Sequence, residues 1–96
     1  MPAYFLVEID TVDEPAMAAY RQQVPPVVEA FGGRFLVRGG ASETLEGDWH
    51  PPRLVVLEFP DLATARAFYH SEVYAPLKTM RCEAGHSRLV LVEGVA

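Results

Sequence analysis

The sequence predicts an α+β fold in which a four-stranded antiparallel sheet carries helices on one of its faces. Two observations predict this class. Apolar residues alternate with period two in four segments of the 96-residue chain, and two segments between them space apolar residues as an amphipathic helix does. The resulting order is strand, helix, strand, strand, helix, strand. A chain of this length is expected to form one domain, residues 1–96, that buries roughly two thirds of its unfolded surface.

The first strand and helix occupy the N-terminal third of the chain. The segment "AYFLVEID", residues 3–10, alternates as a strand does. Asp13 is a candidate N-cap for the helix that follows, and Pro15 lies in the first turn, where its missing N–H costs little. Pro25 and Pro26 interrupt the apolar stripe of this helix, so we expect a kink or a restart there.

The segment "GGRFLVRGG", residues 32–40, places a glycine pair on each side of a short second strand, residues 34–38. The first pair is expected to end the helix, because glycine tolerates the left-handed conformation common at that position. The second pair predicts a bulge or bend inside one longer strand that continues over residues 43–46.

The second half of the chain repeats the pattern. The segment "RLVVLEFP", residues 53–60, predicts the third strand, and Asp61 is expected to cap a helix over residues 62–70. Ser71 is expected to cap a further short helical segment, and residues 86–94 predict the fourth strand. With right-handed crossovers, both helices lie on the same face, which is the ferredoxin-like arrangement.

The two faces of this predicted sheet differ in composition. One face is wholly apolar and is expected to lie under the helices. The other face is too apolar to be left in water, so we expect a twofold homodimer with its sheets packed face to face around a cavity. This second, predicted face consists of Tyr4, Leu6, Glu8, Arg34, Leu36, Arg38, Leu54, Val56, Glu58, Arg88, Val90 and Val92.

Four segments, "MPAYFLVEID", "VPPVVEAFGGRFLVRGG", "LEGDWHPPRLVVLEFPD" and "ARAFYHSEVYAPLKTMR", resemble the family called domain of unknown function 1330, over nearly the whole chain. The resemblance implies a ferredoxin-like fold of the dimeric α/β barrel superfamily and assigns no catalytic residue. That superfamily includes cofactor-free monooxygenases of polycyclic phenols, haem-degrading and chlorite-reducing haem proteins, muconolactone isomerases and stress-responsive proteins. Because a fold does not fix a function, these activities are analogies only.

Four charged residues on the second face form the first candidate site. Arg34 and Arg38 could hold a carboxylate or enolate while Glu8 or Glu58 acts as a catalytic base. This predicts cofactor-independent acid–base chemistry on a small organic acid or phenol. The alternative is a non-catalytic module, in which the same charges form a structural ion-pair network or bind a ligand.

Aromatic residues supply further candidate ligand-binding residues. Tyr4 lies on the second face, and Trp49 with His50 could form a lid over a flat apolar ligand. The alternative is that Trp49 anchors its loop and that His50 is solvated. Tyr69 and Tyr74 could present phenols to a pocket, although aromatic residues at this spacing also pack in a core.

Charge and composition argue against several classes of function. A net charge of −5 with only eight Lys and Arg residues disfavours nucleic-acid binding. No apolar run approaches the ~20 residues that span a bilayer, and residues 1–10 lack the features of a signal peptide, so the expected location is cytoplasmic.

The sequence also predicts no metal or cofactor site. Cys82 is the single cysteine, so neither an internal disulfide nor a multi-thiolate metal site is expected. Its spacing to His86 gives no sign of an activated thiol. The histidines lack the spacing of a zinc site, the sequence singles out none of them as a haem ligand, and no glycine-rich phosphate loop links a strand to a helix.

Overall fold

Three helices pack on one face of a four-stranded sheet in the computed structural model, which describes residues 1–95. The sheet order is β2-β3-β1-β4 and every neighbouring pair is antiparallel, which confirms the predicted ferredoxin-like α+β fold. The elements are β1 (Ala3–Thr11), α1 (Glu14–Ala30), β2 (Arg34–Arg38), β3 (Leu54–Phe59), α2 (Leu62–Tyr69), α3 (Ala75–Ala84) and β4 (Gly85–Glu93).

The core lies between the helices and the sheet. Alternate residues of β1 and β3 point into it, and their aromatic rings meet those of α2. The Phe5 and Phe59 rings make an edge contact with their centroids 5.7 Å apart, and the ring centroids of Phe68 and Phe59 are 5.0 Å apart. Each large apolar side chain buried here stabilises the fold by roughly 1.5–3 kcal/mol, so this layer holds the monomer together.

Side-chain caps begin α1 and α2 where the sequence predicts them, whereas α3 follows Tyr74, which makes no side-chain cap hydrogen bond. The Asp13 and Asp61 carboxylates each accept a hydrogen bond from the backbone N–H three residues later, at 3.1 and 2.7 Å. The Ser71 hydroxyl accepts from the N–H of Tyr74 at 3.1 Å, in the turn before α3. These bonds satisfy N–H groups that have no partner inside a helix.

Helix α1 runs unbroken through Pro25 and Pro26, so of the kink or restart expected there the restart does not occur. Pro25 leaves the carbonyl of Arg21 without its usual helical partner. The guanidinium of Arg38, which lies on β2, donates a hydrogen bond to that carbonyl instead. A contact from the sheet therefore satisfies the polar group that the proline leaves unpaired.

The bulge in β2 lies earlier than the sequence predicts. Phe35 pairs with Leu57, but Val37 pairs with Val56, so Leu36 is the extra residue. The predicted continuation of the strand over residues 43–46 is wrong, because residues 39–53 form no strand.

The bulge exchanges the faces of the last two residues of β2. An inserted residue reverses the alternation of every side chain that follows it. Val37 therefore points away from the helices, and Arg38 lies on the helix-covered face, opposite Val55. The predicted placement of Arg38 beside Arg34 is wrong for this reason. Gly39 then ends the strand with φ +76°, a conformation that favours glycine.

Candidate functional site

The face of the sheet away from the helices, called the open face below, exposes large apolar side chains. The Cα atoms span only 17 Å in the thinnest direction, which corresponds to one sheet layer and one helix layer. Leu6 is 45% exposed although it lies on the interior strand β1, and Val90, on the edge strand β4, is 59% exposed. The open face consists of Tyr4, Leu6, Glu8, Arg34, Val37, Leu54, Val56, Glu58, Arg88, Val90 and Val92.

A pocket of about 580 Å³ lies at one end of the open face. The strands form its floor, and the loop before β3 contributes one wall. This volume lies within the range of about 300–1,000 Å³ that is typical of small-molecule sites. The pocket, called the open-face pocket below, is lined by Leu6, Val7, Glu8, Asp48, Trp49, Leu54, Arg88 and Val90.

The Glu8 carboxylate is the best-connected polar group of the open-face pocket. Glu8 lies opposite Arg88 in the β1–β4 pairing, and its Oε1 accepts a hydrogen bond from the Nε of Arg88 at 2.5 Å. Its Oε2 accepts from the Nε1 of Trp49 at 2.9 Å. The hydrogen bond from Arg88, and then that from Trp49, lower the pKa of Glu8 below its ordinary value. Glu8 is therefore an ionised acceptor at neutral pH.

Trp49 joins the loop to the sheet. Its indole N–H bonds to Glu8, and its backbone carbonyl accepts a hydrogen bond from the hydroxyl of Thr44 at 2.5 Å. The indole therefore anchors the loop and also forms a wall of the open-face pocket. His50, the next residue, is exposed and does not line that pocket.

Glu58 belongs to a second, separate ion pair. Its Oε1 accepts from the Nε of Arg34 at 2.7 Å, between the neighbouring strands β3 and β2. Glu58 lies opposite Tyr4, whereas Glu8 lies four residues further along β1. At about 3.3 Å per residue, the backbone positions of the two glutamates are about 13 Å apart along the strand direction. The structure therefore does not bring the two candidate catalytic glutamates together.

Three other predicted site residues, Arg38, Tyr69 and Tyr74, lie on the opposite side of the sheet, whereas Tyr4 is on the open face but does not line the open-face pocket. Arg38 packs over the ring of Phe35, with its guanidinium carbon 4.5 Å from the ring centroid. Tyr69 contacts the core, and the ammonium of Lys78 lies 4.1 Å from its ring centroid. Tyr74 is buried in the core. None of these three predicted residues lines the open-face pocket.

The buried environment of Tyr74 is polar as well as aromatic. Its hydroxyl lies 3.0 Å from the hydroxyl of Tyr20, and Arg81 is buried beside them. Burial, reinforced by Tyr74, raises the pKa of Tyr20 far above its ordinary value. Tyr20 therefore stays protonated and serves as a hydrogen-bonding core residue.

Arg88 is the main site residue that the sequence did not single out. It alternates with Val90 and Val92 along β4, which places it on the open face without naming its partner. Its contact with Glu8 depends on the register between β1 and β4, strands that are far apart in the sequence. A charge inside an otherwise apolar strand face was the available signal.

Within residues 1–95, no cluster of three histidine, cysteine, aspartate or glutamate residues is arranged to hold a metal ion. In the same part of the chain, no helix has the length and apolar character that crossing a bilayer requires.

The fold and the open face define a class, the ferredoxin-like α+β proteins, and solved structures of that class match the chain. RPA0582 of Rhodopseudomonas palustris, a protein of unknown function, is 24% identical with a TM-score of 0.77, over 99% of this chain and 83% of that one. A dimeric ferredoxin-like protein of unknown function from Jannaschia sp. CCS1 is 17% identical with a TM-score of 0.68, over 98% and 100%.

A structure with a named activity also matches. SnoaB from Streptomyces nogalater, a cofactor-independent oxygenase crystallised as the N63A mutant, is 14% identical with a TM-score of 0.59, over 99% of this chain and 94% of that one. At these identities the likeness concerns the fold alone. No curated protein matches the sequence.

The chain belongs to the family described as domain of unknown function (DUF1330), whose model matches residues 2–95. The match covers the sheet, all three helices and the loop that carries Trp49.

Proposed function

We propose that the chain forms a homodimer through its open face and that this dimer encloses a binding site for a small organic acid or phenol. The observation that carries the proposal is the open-face pocket, which combines an apolar floor with a polar cluster, Glu8, Trp49 and Arg88, and one further charged residue, Asp48. Sites for small molecules typically combine an apolar lining with a few well-placed polar groups.

The dimer is supported by the composition of the open face. A second sheet that covers exposed side chains such as Leu6, Val90 and Val92 would stabilise the dimer by roughly 25 cal/mol per Å² of apolar area removed from water. The glutamates of this face are already paired with arginines of the same chain, which lowers the cost of removing them from water. A structural relative, the Jannaschia protein, is described as dimeric.

The chemistry of the ligand is inferred from Arg88. Its Nε is bonded to Glu8, and no hydrogen bond within residues 1–95 occupies its two terminal NH₂ groups. These groups can donate to a carboxylate or phenolate while the apolar floor contacts the carbon skeleton. Trp49 would then cover one side of the ligand.

Acid–base catalysis with Glu8 as the base is a second candidate, favoured by the likeness to SnoaB, a cofactor-independent oxygenase. The lowered pKa of Glu8 makes this carboxylate a weak base, so binding is the better-supported function. A Glu8→Gln variant separates catalysis from binding. If Glu8 is a catalytic base, the variant should lose turnover, whereas its affinity for the ligand should change much less.

The dimer is tested by sedimentation velocity or light scattering. We expect the unaltered chain at micromolar concentration to have twice the chain mass and Val90→Asp to be monomeric, because a carboxylate would be placed between the two sheets. Val73→Asp is the matched control, since Val73 is 60% exposed and Val90 59%, and Val73 precedes α3. A monomeric unaltered chain, or equal dissociation of both variants, would contradict the dimer.

The ligand site is tested by NMR with 4-hydroxybenzoate, a probe that carries both a phenol and a carboxylate. Trp49 is the single tryptophan, so its indole N–H gives one resonance that reports on the open-face pocket. We expect a saturable shift of this resonance and at least tenfold weaker binding in Arg88→Ala, because a charge-assisted hydrogen bond is lost. An unmoved indole resonance would contradict the site.

A further inference from the structure

Three arginines meet on the helix-covered face, on the side of the sheet opposite the open-face pocket. Arg21, Arg38 and Arg53, called the arginine cluster below, line one cavity between α1 and the β2–β3 edge. Arg38 donates to the carbonyl of Arg21, and the Nη2 of Arg53 donates to the carbonyl of Arg38 at 3.3 Å. Nothing in the proposed dimer depends on this cluster.

Each arginine comes from a different element. Arg21 borders the buried stripe of α1, and Arg53 immediately precedes β3, where its carbonyl accepts the N–H of Ile9 at 3.0 Å. Arg38 reaches the cluster because of the bulge at Leu36; a regular β2 would turn it to the open face. Bulges often redirect a side chain in this way.

The cluster has more positive charge than its neighbours neutralise. Within residues 1–95, Glu14 forms an ion pair with Arg21, whereas neither Arg38 nor Arg53 forms an ion pair with a carboxylate. Burial first, and then the positive charges of Arg21 and Arg38, lower the pKa of Arg53. An anion between the guanidinium groups would offset this repulsion.

The cavity beside the cluster has room for a small polar head group. Its volume of about 30 Å³ exceeds the ~10–15 Å³ that a water molecule needs and suits a group the size of a carboxylate. Most of its other walls are apolar, and Phe35 holds the Arg38 guanidinium in place by stacking. These walls favour an anion attached to a carbon skeleton. The apolar wall residues are Val7, Ile9, Met17, Val24, Phe35, Val55 and Leu57.

We propose that the arginine cluster binds the carboxylate of a small, largely apolar organic acid, at a site separate from the open-face pocket. Guanidinium groups present pairs of N–H donors that match the two oxygens of a carboxylate. Arg38 and Arg53 supply the uncompensated charge. The cavity of about 30 Å³ holds only the carboxylate, so the apolar body of the ligand extends out of the cavity along its apolar rim.

The test compares benzoate with its neutral analogue benzamide, by NMR on ¹⁵N-labelled protein at constant ionic strength. We expect benzoate to shift the backbone amide resonances of Arg38, Gly39 and Leu54 in a saturable way and benzamide to leave them unmoved. We expect Arg53→Gln and Arg38→Gln to weaken benzoate binding at least tenfold. Arg66→Gln, which removes an exposed arginine of α2, should bind as the unaltered protein does.

Each other outcome overturns the proposal. Equal binding of benzamide, unchanged affinity in Arg53→Gln, or shifts confined to the Trp49 indole would show that the cluster does not hold the carboxylate. Tighter binding of inorganic phosphate to the same amides would exclude the apolar acid as ligand. If Arg38→Gln fails to fold because the Arg21 carbonyl loses its donor, Arg53→Gln and the benzamide comparison still decide.

Discussion

The two faces of the sheet are made by alternating residues of the same strands, but the chain completes only one of them. Phe5 on the helix-covered face is 2% exposed, whereas its neighbour Leu6 on the open face is 45% exposed. The three helices cover the first face. The second face has apolar side chains that no helix covers, together with two ion pairs.

The position of the charges explains why the two faces differ. A charge in the middle of the helix-covered face would lose its hydration, at a cost of several kcal/mol unless it is paired. The arginine cluster lies at the β2–β3 edge of that face, where Arg38 stays exposed. On the open face, Glu8 and Glu58 find arginines on the neighbouring strands, so both are paired within one chain. The two ion pairs therefore form within one chain, and a partner can cover them at a lower desolvation cost than unpaired charges would require.

The largest expected difference between the faces is in the free energy of unfolding. Phe5→Ala should destabilise the protein by about 3–5 kcal/mol, because it leaves a cavity among the core rings. Leu6→Ala should cost about 1 kcal/mol at low protein concentration, since Leu6 is already partly exposed in one chain. Urea unfolding of both variants measures this.

Protein concentration sharpens the same experiment. If the open face forms the proposed dimer, the loss in Leu6→Ala should increase with protein concentration, because stability is then linked to association. Equal losses for the two variants, or no dependence on concentration for Leu6→Ala, would remove the distinction between the faces.

A smaller effect is expected at Gly33, where the helix-covered face is closely packed. A Cβ at this position would lie 2.6 Å from the ring of Phe59 and 2.9 Å from Val28. Gly33→Ala should therefore cost about 1–3 kcal/mol by overpacking. Gly40→Ala is the matched control, because no atom lies within 4 Å of a Cβ there, and urea unfolding should show no loss.

The smallest effect concerns the pH dependence of the open face. The hydrogen bonds from Arg88 and Trp49 lower the pKa of Glu8, so this carboxylate stabilises the fold above its unfolded pKa. That contribution is lost as the pH falls through the lower, folded value. Trp49 fluorescence should change at a pH below the ordinary glutamate pKa of ~4.3, where Glu8 becomes protonated.

Two variants check the origin of this fluorescence change. Arg88→Ala should move the midpoint of the fluorescence change to higher pH, because it removes the hydrogen bond that lowers the pKa of Glu8 most. Glu8→Gln, which cannot ionise, should abolish it. A midpoint that does not move in Arg88→Ala would contradict the ion pair.

The candidate site was only partly predictable. The sequence indicates Glu8 and Trp49 from their places in a strand and a loop, and both line the open-face pocket. Their mutual hydrogen bond joins residues 41 positions apart and has no local signal. The alternation along β4 places Arg88 on the open face but assigns it no role, because its partner is set by strand register.

Tyr69 and Tyr74 illustrate the opposite problem. Aromatic residues at helical spacing are compatible with a pocket or with a core, and the alternatives differ only in what packs against the helix. The structure places both rings against the core, with the Tyr74 ring centroid 4.5 Å from that of Phe68.

Local chemistry in the sequence determined the strands, the helix caps at Asp13 and Asp61 and the apolar composition of the helix-covered face, because side-chain periodicity and capping act over a few residues. Tertiary structure alone decided where Arg38 points. The bulge at Leu36 depends on pairing with β3, and the Arg21 carbonyl left free by Pro25 receives the displaced guanidinium. Both contacts join segments that are distant in the chain, so no local sequence pattern could predict them.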